Sequence, residues 1–573
     1  MKRFLVIYIW LLIVLAGLFS CGSPPKADLV IHNGTIYTVG DAMPKAGMVA
    51  VSGDKIVHVG SNTEADVWIG EQTRVIDLQG KTMTPGFIES HGHFIGLGKA
   101  KLRLDLNGTQ NYDEVVAMVA EAVKTTKPGD WILGRGWHQS KWNKSPEPQV
   151  RGFQTHAALS SVSPDNPVYL RHASGHAAIA NAKAMEIAGI TRSTTVEGDG
   201  EVIKDARGNP TGILTENAME LVSNLVPKST PEVLSKAMDL AMEECLRNGI
   251  TTFHDAGALE AEIEIFKKYL DEGKLKTRLW VMLESELDGE YNHEFLERWY
   301  QNGPEIGLGN HFLTIRSIKI HADGALGSRG AWLLQEYLDR PGHFGHETVP
   351  MEEVYNTSVN ALKYGFQVCT HAIGDRTNRE VLDMYEKAFS ENPEQVKDAR
   401  FRIEHSQHLS AADIPRFAKL GVIASMQGIH MASDRPWAID RLGKGRIVEG
   451  AYVWRKLLDS GAKVINGTDV PVEPLSPIAS FYASVTRQTL KGDPPGGYEP
   501  NQKMTREEAL RSYTLDAAYG GFEEDIKGSI EAGKLADFAV FSQDIITVPD
   551  NELLNTKVDY TIVGGKVLFE RAQ

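Results

Sequence analysis

Short apolar runs broken by glycine and polar turns occupy both ends of the chain. Leu29-Val30-Ile31, Ile36-Tyr37-Thr38, Met48-Val49-Ala50-Val51 and Ile56-Val57-His58-Val59 are separated by Asn33-Gly34, Ser52-Gly53-Asp54 and Gly60, a pattern of strands joined by tight turns. Phe538-Ala539-Val540-Phe541 and Tyr560-Thr561-Ile562-Val563 repeat it near the C-terminus. The middle of the chain alternates instead. Candidate strands at 83–93, 251–255, 278–283, 314–321, 366–371, 402–405, 422–426 and 463–468 are interspersed with helix-like stretches such as Pro231–Arg247 and Met351–Tyr364. Eight such alternations predict a (β/α)8 TIM barrel. The gap between the first two strands is too long for one crossover, so residues from about 101 to 228 are expected as an insertion with strands of their own. The expected fold class is therefore α/β: a barrel over 84–519 carrying that insertion after its first strand, with a small composite β-sandwich built from 29–83 and 520–573.

The N-terminus changes the picture of where the fold begins. Lys2 and Arg3 precede an apolar run from Phe4 to Leu18 that is short for a membrane span, and Leu18-Phe19-Ser20-Cys21 follows. This resembles a bacterial lipoprotein signal, with Phe19 departing from the commoner small residue. Residues 1–20 are expected to be removed, Cys21 to carry lipid, and 21–28 to act as a tether. Gly22, in place of an aspartate, points to the outer membrane of the cell envelope, facing periplasm or surface. The remaining cysteines, Cys245 and Cys369, show no sign of pairing, and Cys369 sits in apolar strand text. At 573 residues and a net charge of −15, the chain exceeds a single hydrophobic core and is a poor electrostatic partner for nucleic acid.

His91-Gly92-His93 is the strongest local signal. Residues i and i+2 of a strand share a face, so two imidazoles at a strand end reach one metal ion. Further candidates close four later strands: Lys319, His371, His405 and Asp469. Lys319 lies between apolar neighbours that face outward, which turns it to the barrel interior, where an unpaired lysine is costly. Its carbamate, formed with CO2, would offer two oxygens to two cations. His321 shares its strand parity and competes for the same role, and a single ion without carbamate is the other option. In the insertion, Trp137 reads either as a pocket wall or as packing. His172, His176 and, beyond it, His430 read as substrate-orienting groups or as structural hydrogen bonds.

Taken together the chain resembles the amidohydrolase superfamily, specifically the family 3 amidohydrolases that include N-substituted formamide deformylases. The resemblance rests on Pro85-Gly86-Phe87-Ile88-Glu89-Ser90-His91-Gly92-His93, Gly175-His176 with Asn181, Gly249-Ile250-Thr251-Thr252 and Lys319 with Asp323-Gly324. It continues through His371-Ala372-Ile373-Gly374-Asp375, Arg402-Ile403-Glu404-His405, Gly467-Thr468-Asp469 and the segment Gly528–Asp537. It implies two divalent ions, zinc foremost, with manganese, iron or nickel compatible with the ligands. His91 and His93 would hold the first, His371 and His405 the second, and Lys319 carbamate would bridge them. Asp469 would contact the first ion and serve as general acid and base towards a metal-activated hydroxide. Glu89 stands where aspartate is common, and Gly428 replaces a frequent proline.

The function expected is hydrolysis of a non-peptide carbon–nitrogen bond in a small molecule, a linear N-acyl or N-formyl amide. The same site acting on a cyclic amide, an amidine or an ester is the alternative, because the ligands serve all of these and specificity lies elsewhere. A non-catalytic lipoprotein that captures ligands has no use for Asp469 or an interior Lys319.

Overall fold

A computed structural model describes residues 26–572, apart from 174–175, 197–199, 228 and 288. The expected signal segment, Cys21 and most of the tether lie outside the described residues, as does Gly175. Contacts divide the chain into two compact units, one containing the residues up to Gly92, Glu244–Leu259 and the chain from Phe266 onward, the other His93–Glu243 with Glu260–Ile265.

In the first unit, eight parallel strands follow one another around a nearly closed barrel: Phe87–Gly92, Ile250–Ala258, Arg278–Glu284, Leu313–His321, Gln367–Ala372, Arg402–His405, Ile423–Met426 and Val464–Asn466. Nearly all their residues are buried, polar ones included, because parallel strands are covered on both faces. Trp280, Met282, Ala256 and Cys369 form an apolar cluster among the barrel strands, and Trp280 Nε1 donates to Gly521 O over 3.1 Å. Cys245 and Cys369 are both free and buried.

The text from 83 to 93 reads as one strand but forms two. Thr82–Pro85 pairs antiparallel with Phe538–Phe541, whereas Phe87–Gly92 pairs parallel with Ile250–Ala258. Gly86 is the pivot. Its amide donates to Asp537 O, and a Cβ there would collide with the Thr251 side chain. The terminal segments meet in one eight-stranded sheet running from Lys566–Glu570 through Val558–Val563, Phe538–Phe541, Thr82–Pro85, Leu29–Tyr37 and Lys45–Ser52 to Lys55–Gly60, with Arg74–Asp77 paired to Leu29–Tyr37. Alternate residues, among them Ile31, Val49, Met83, Val540 and Ile562, enter a shared core. Arg278, at the foot of the third barrel strand, binds this sheet through Asp537, with Nε to Oδ2 at 2.7 Å and Nη2 to Oδ1 at 3.0 Å. Both groups are buried, so the pair offsets the desolvation of each.

The second unit carries a six-stranded sheet, ordered Val202–Lys204, Pro210–Thr215, Ala177–Ala180, Val168–His172, Ile132–Trp137 and Leu104–Asp105. Side-chain alternation divides its strands between two cores. Val168, Leu170 and Ile179 face one, and Tyr169, Ala178 and Ala180 the other.

The barrel closes where the loop after its eighth strand meets the first. The Asp469 amide donates to His91 O at 2.7 Å. Glu89, wholly buried, accepts from Thr468 N at 2.7 Å and Thr468 Oγ1 at 2.9 Å. Burial pushes the Glu89 carboxyl up to about 8 against the pull of these hydrogen bonds. Gly467 has no room for a side chain, since a Cβ would lie 2.7 Å from His91 N. Gly467→Ala should therefore destabilise the protein by about 1–3 kcal/mol, the usual cost of overpacking. Urea denaturation checks this, and an unchanged midpoint would show that the seam yields freely.

Candidate metal centre

Strand ends converge at this seam. One ligand atom each from His91, His405 and Asp469 lies within 4.8 Å of the others, and all three residues are buried. His91 Nε2 is 3.6 Å from Asp469 Oδ1, and His430 Nε2 is 3.6 Å from Asp469 Oδ2. The His405 ring is 4.8 Å from that of His91 and 4.5 Å from that of His371, and it stacks on His430 at 5.8 Å. His93 follows His91 by two residues and occupies the N-cap position of the helix Phe94–Lys101.

The backbone is bent to achieve this. His405 and Asp469 both have left-handed φ, 72° and 59°, a conformation costly for residues other than glycine and concentrated at functional sites. At His405 it ends the strand alternation that sends Arg402 and Glu404 to one side. His405 Nδ1 is then held by Gln427 Oε1 at 2.8 Å, and His91 Nδ1 by Glu404 Oε2.

The electrostatics favour neutral imidazoles. Burial holds the pKa of His405 well below the histidine range, with His91, Lys319 and His430 adding repulsion. His371 is depressed in the same way, by burial and then by His405, Lys319 and His321. Neutral imidazole is the form that ligates metal. Lys319 is buried, and its ammonium has neither hydrogen bond nor ion pair among the described residues. Burial lowers its pKa, against the attraction of Glu404, Asp469 and Glu284. His371 Nε2 and His430 Nε2 are buried without a hydrogen-bond partner among the described residues. Neutral nitrogens and an adjacent carboxylate fit a divalent cation.

His321, its ring 5.8 Å from that of His371, belongs to a second cluster of possible ligands. Its Nδ1 lies 3.5 Å from Glu286 Oε1 and 3.6 Å from Glu284 Oε1, in a half-buried cluster at the ends of the third and fourth strands. Asp323 Oδ1 lies 3.4 Å from His371 Nε2 without a hydrogen bond between them. Asp323 accepts from Ile373 N, Gly374 N, Trp332 N and Thr377 Oγ1 at 2.7–3.0 Å, although burial pushes its carboxyl up to about 6.

The other expected substrate-facing residues belong to the second unit. Trp137 is fully buried in its core and donates Nε1–H to Leu170 O at 2.9 Å, the geometry of a packing residue and not of a pocket wall. His172 packs edge-on to Trp137 and beside His138, and burial pulls its pKa down to about 4, with His138 adding to the effect. His176 is exposed and pairs with Glu216 at 3.1 Å. Of the four expected substrate-binding residues, His430 lies beside Asp469 in the first unit.

Residues 74–569 match the Amidohydrolase family, and the chain belongs to it. It is 33% identical over 562 residues to Protein LONG AFTER FAR-RED 3 of Arabidopsis thaliana, covering 96% of this chain and 93% of that one. It is 28% identical over 551 residues to the N-substituted formamide deformylase of Arthrobacter pascens, covering 95% and 98%. Among solved structures, an uncharacterized metal-dependent hydrolase from Pyrococcus furiosus superposes with a TM-score of 0.73 at 27% identity, covering 91% of this chain and all of that one. The chain is thus an amidohydrolase-family hydrolase on a TIM-barrel fold.

Asp323 offers a test of how the centre is braced. Asp323→Ala strips a common acceptor from four donors, and each buried donor left unpaired costs about 1–3 kcal/mol. Thermal unfolding should fall sharply, and a melting temperature equal to wild type would remove Asp323 from the architecture of this turn.

Proposed function

We infer that the chain hydrolyses a linear N-acyl or N-formyl amide, a carbon–nitrogen bond outside peptides, with two divalent ions, zinc foremost. The observation that carries this reading is the buried meeting of His91, His405 and Asp469 with partnerless Lys319 beside it. Similarity across nearly the whole chain to an N-substituted formamide deformylase supports the choice of bond. His91, His93 and Asp469 would hold the first ion and His371 and His405 the second, with Lys319, as its carbamate, a further ligand. Metal bound there supplies Lewis acidity towards the substrate carbonyl and lowers the pKa of water.

The side chains do the rest. Asp469 stands between His91 and His430, each 3.6 Å from one of its oxygens. It accepts a proton from the attacking water and returns it to the departing nitrogen. His430, stacked on His405, orients the substrate carbonyl oxygen. The chain works in the cell envelope, anchored by lipid on Cys21. Cys21→Ser should move the protein from the membrane fraction to the soluble one, and retention in membranes would discard the anchor.

The decisive experiment is metal analysis of protein purified with bicarbonate, followed by a screen of N-formyl and N-acyl amines alongside cyclic amides, amidines and esters. About two metal equivalents with cleavage of linear amides is the expected result. Metal-free protein inactive on every class, or cleavage confined to the other substrates, would overturn the reading. Asp469→Asn should lower kcat by about 100-fold or more and keep the second ion's ligands intact. Turnover equal to wild type would remove the proton-transfer role.

A further inference from the structure

Beneath the centre lies a buried polar group that the proposed chemistry does not use. Glu404 and Arg402, two residues apart on the sixth strand, are both fully buried. Arg402 Nε donates to Glu404 Oε1 at 2.6 Å and Nη2 to Oε2 at 3.0 Å. Nη2 also donates to Ser90 O at 2.6 Å and Ser425 Oγ at 3.0 Å, and Nη1 to His254 Nδ1 at 3.2 Å. The guanidinium thus ties the sixth strand to the first, second and seventh. The Glu404 oxygen that Arg402 Nη2 binds also meets His91 Nδ1.

A carboxylate accepts hydrogen bonds and an imidazole has two distinct nitrogens. With Nδ1 committed to Glu404 as donor, the lone pair of His91 lies on Nε2, the atom that faces Asp469. A carboxylate behind a ligating imidazole fixes its tautomer and strengthens it as a donor. Glu404 cannot rotate away, because Arg402 grips both its oxygens. His405 is oriented differently, by the neutral amide of Gln427.

We propose that Glu404 is a positioning residue that sets the tautomer and donor strength of His91 towards a divalent cation, with Arg402 as the clamp that holds Glu404 in register. This rests on the metal centre proposed above, and the tests separate the two. Zinc affinity is measured by chelator competition on wild type, Glu404→Gln and Glu404→Asp, with the melting temperature of each metal-free protein alongside. Glu404→Gln should bind zinc about 10- to 100-fold more weakly, and Glu404→Asp, which keeps the charge, should recover part of that loss. Should Glu404→Gln fail to fold, anomalous diffraction at the zinc edge on zinc-soaked wild-type crystals decides. His91 ligating through Nε2 with Nδ1 on Glu404 upholds the assignment. Ligation through Nδ1, or unchanged affinity in folded Glu404→Gln, overturns the positioning role and leaves the metal centre standing. Wild type that binds no zinc overturns both.

Discussion

The hydrogen bond from the Asp469 amide to His91 O, at 2.7 Å, is the contact on which the site depends. It joins the last strand of the barrel to the first, bringing together residues 378 positions apart in the chain. Everything nearby is arranged to let that approach happen. Gly467 lacks the side chain that would block it, Glu89 takes up the Thr468 amide and hydroxyl, and Asp469 adopts a left-handed φ. Ring closure and assembly of the centre are therefore one event. A barrel left open by a few ångströms would keep its strands and lose its chemistry.

Polar burial under the site follows from the same closure. An arginine, a glutamate and several imidazoles sit where a TIM barrel ordinarily places branched apolar side chains. Such groups are tolerated only when their hydrogen bonds are met. Arg402 meets this with four partners. The imidazoles do so only in part, and their depressed pKa values express how poorly this environment tolerates further positive charge on protein atoms. The same enclosure leaves Lys319 as the one cationic side chain near the three ligand groups whose own charge is not neutralised by an adjacent partner among the described residues.

Much of this was legible in the chain. All eight barrel strands were placed by apolar runs that end in small or polar residues, and His91, His405 and Asp469 were read as rim residues for that reason. Period-two alternation also put Lys319 inside. What escaped was whatever depends on a partner distant in sequence. Glu404 carries no local mark that it backs His91, since that contact spans strands one and six. Trp137 is equally plausible as pocket wall or core until the sheet around it is built. The single strand expected over 83–93 is two because Gly86 must pass Thr251, a neighbour that the linear text does not reveal. His321 and Lys319 share a parity, and only the two glutamates beside His321 separate their roles.

The sheet shared by the two ends of the chain bears on the order of folding. Thr82–Pro85 has Phe538–Phe541 as its neighbour on one side, so that edge waits for nearly the whole polypeptide to be made. Pairings of such long sequence separation are slow to form. During synthesis the early strands can pair with one another while one edge of Thr82–Pro85 stays open, and Gly86, which hands the chain from this sheet to the barrel, gains its bond to Asp537 O only once that segment is made. Completion of the last strands thus acts as a late checkpoint, one that a prematurely ended chain cannot pass.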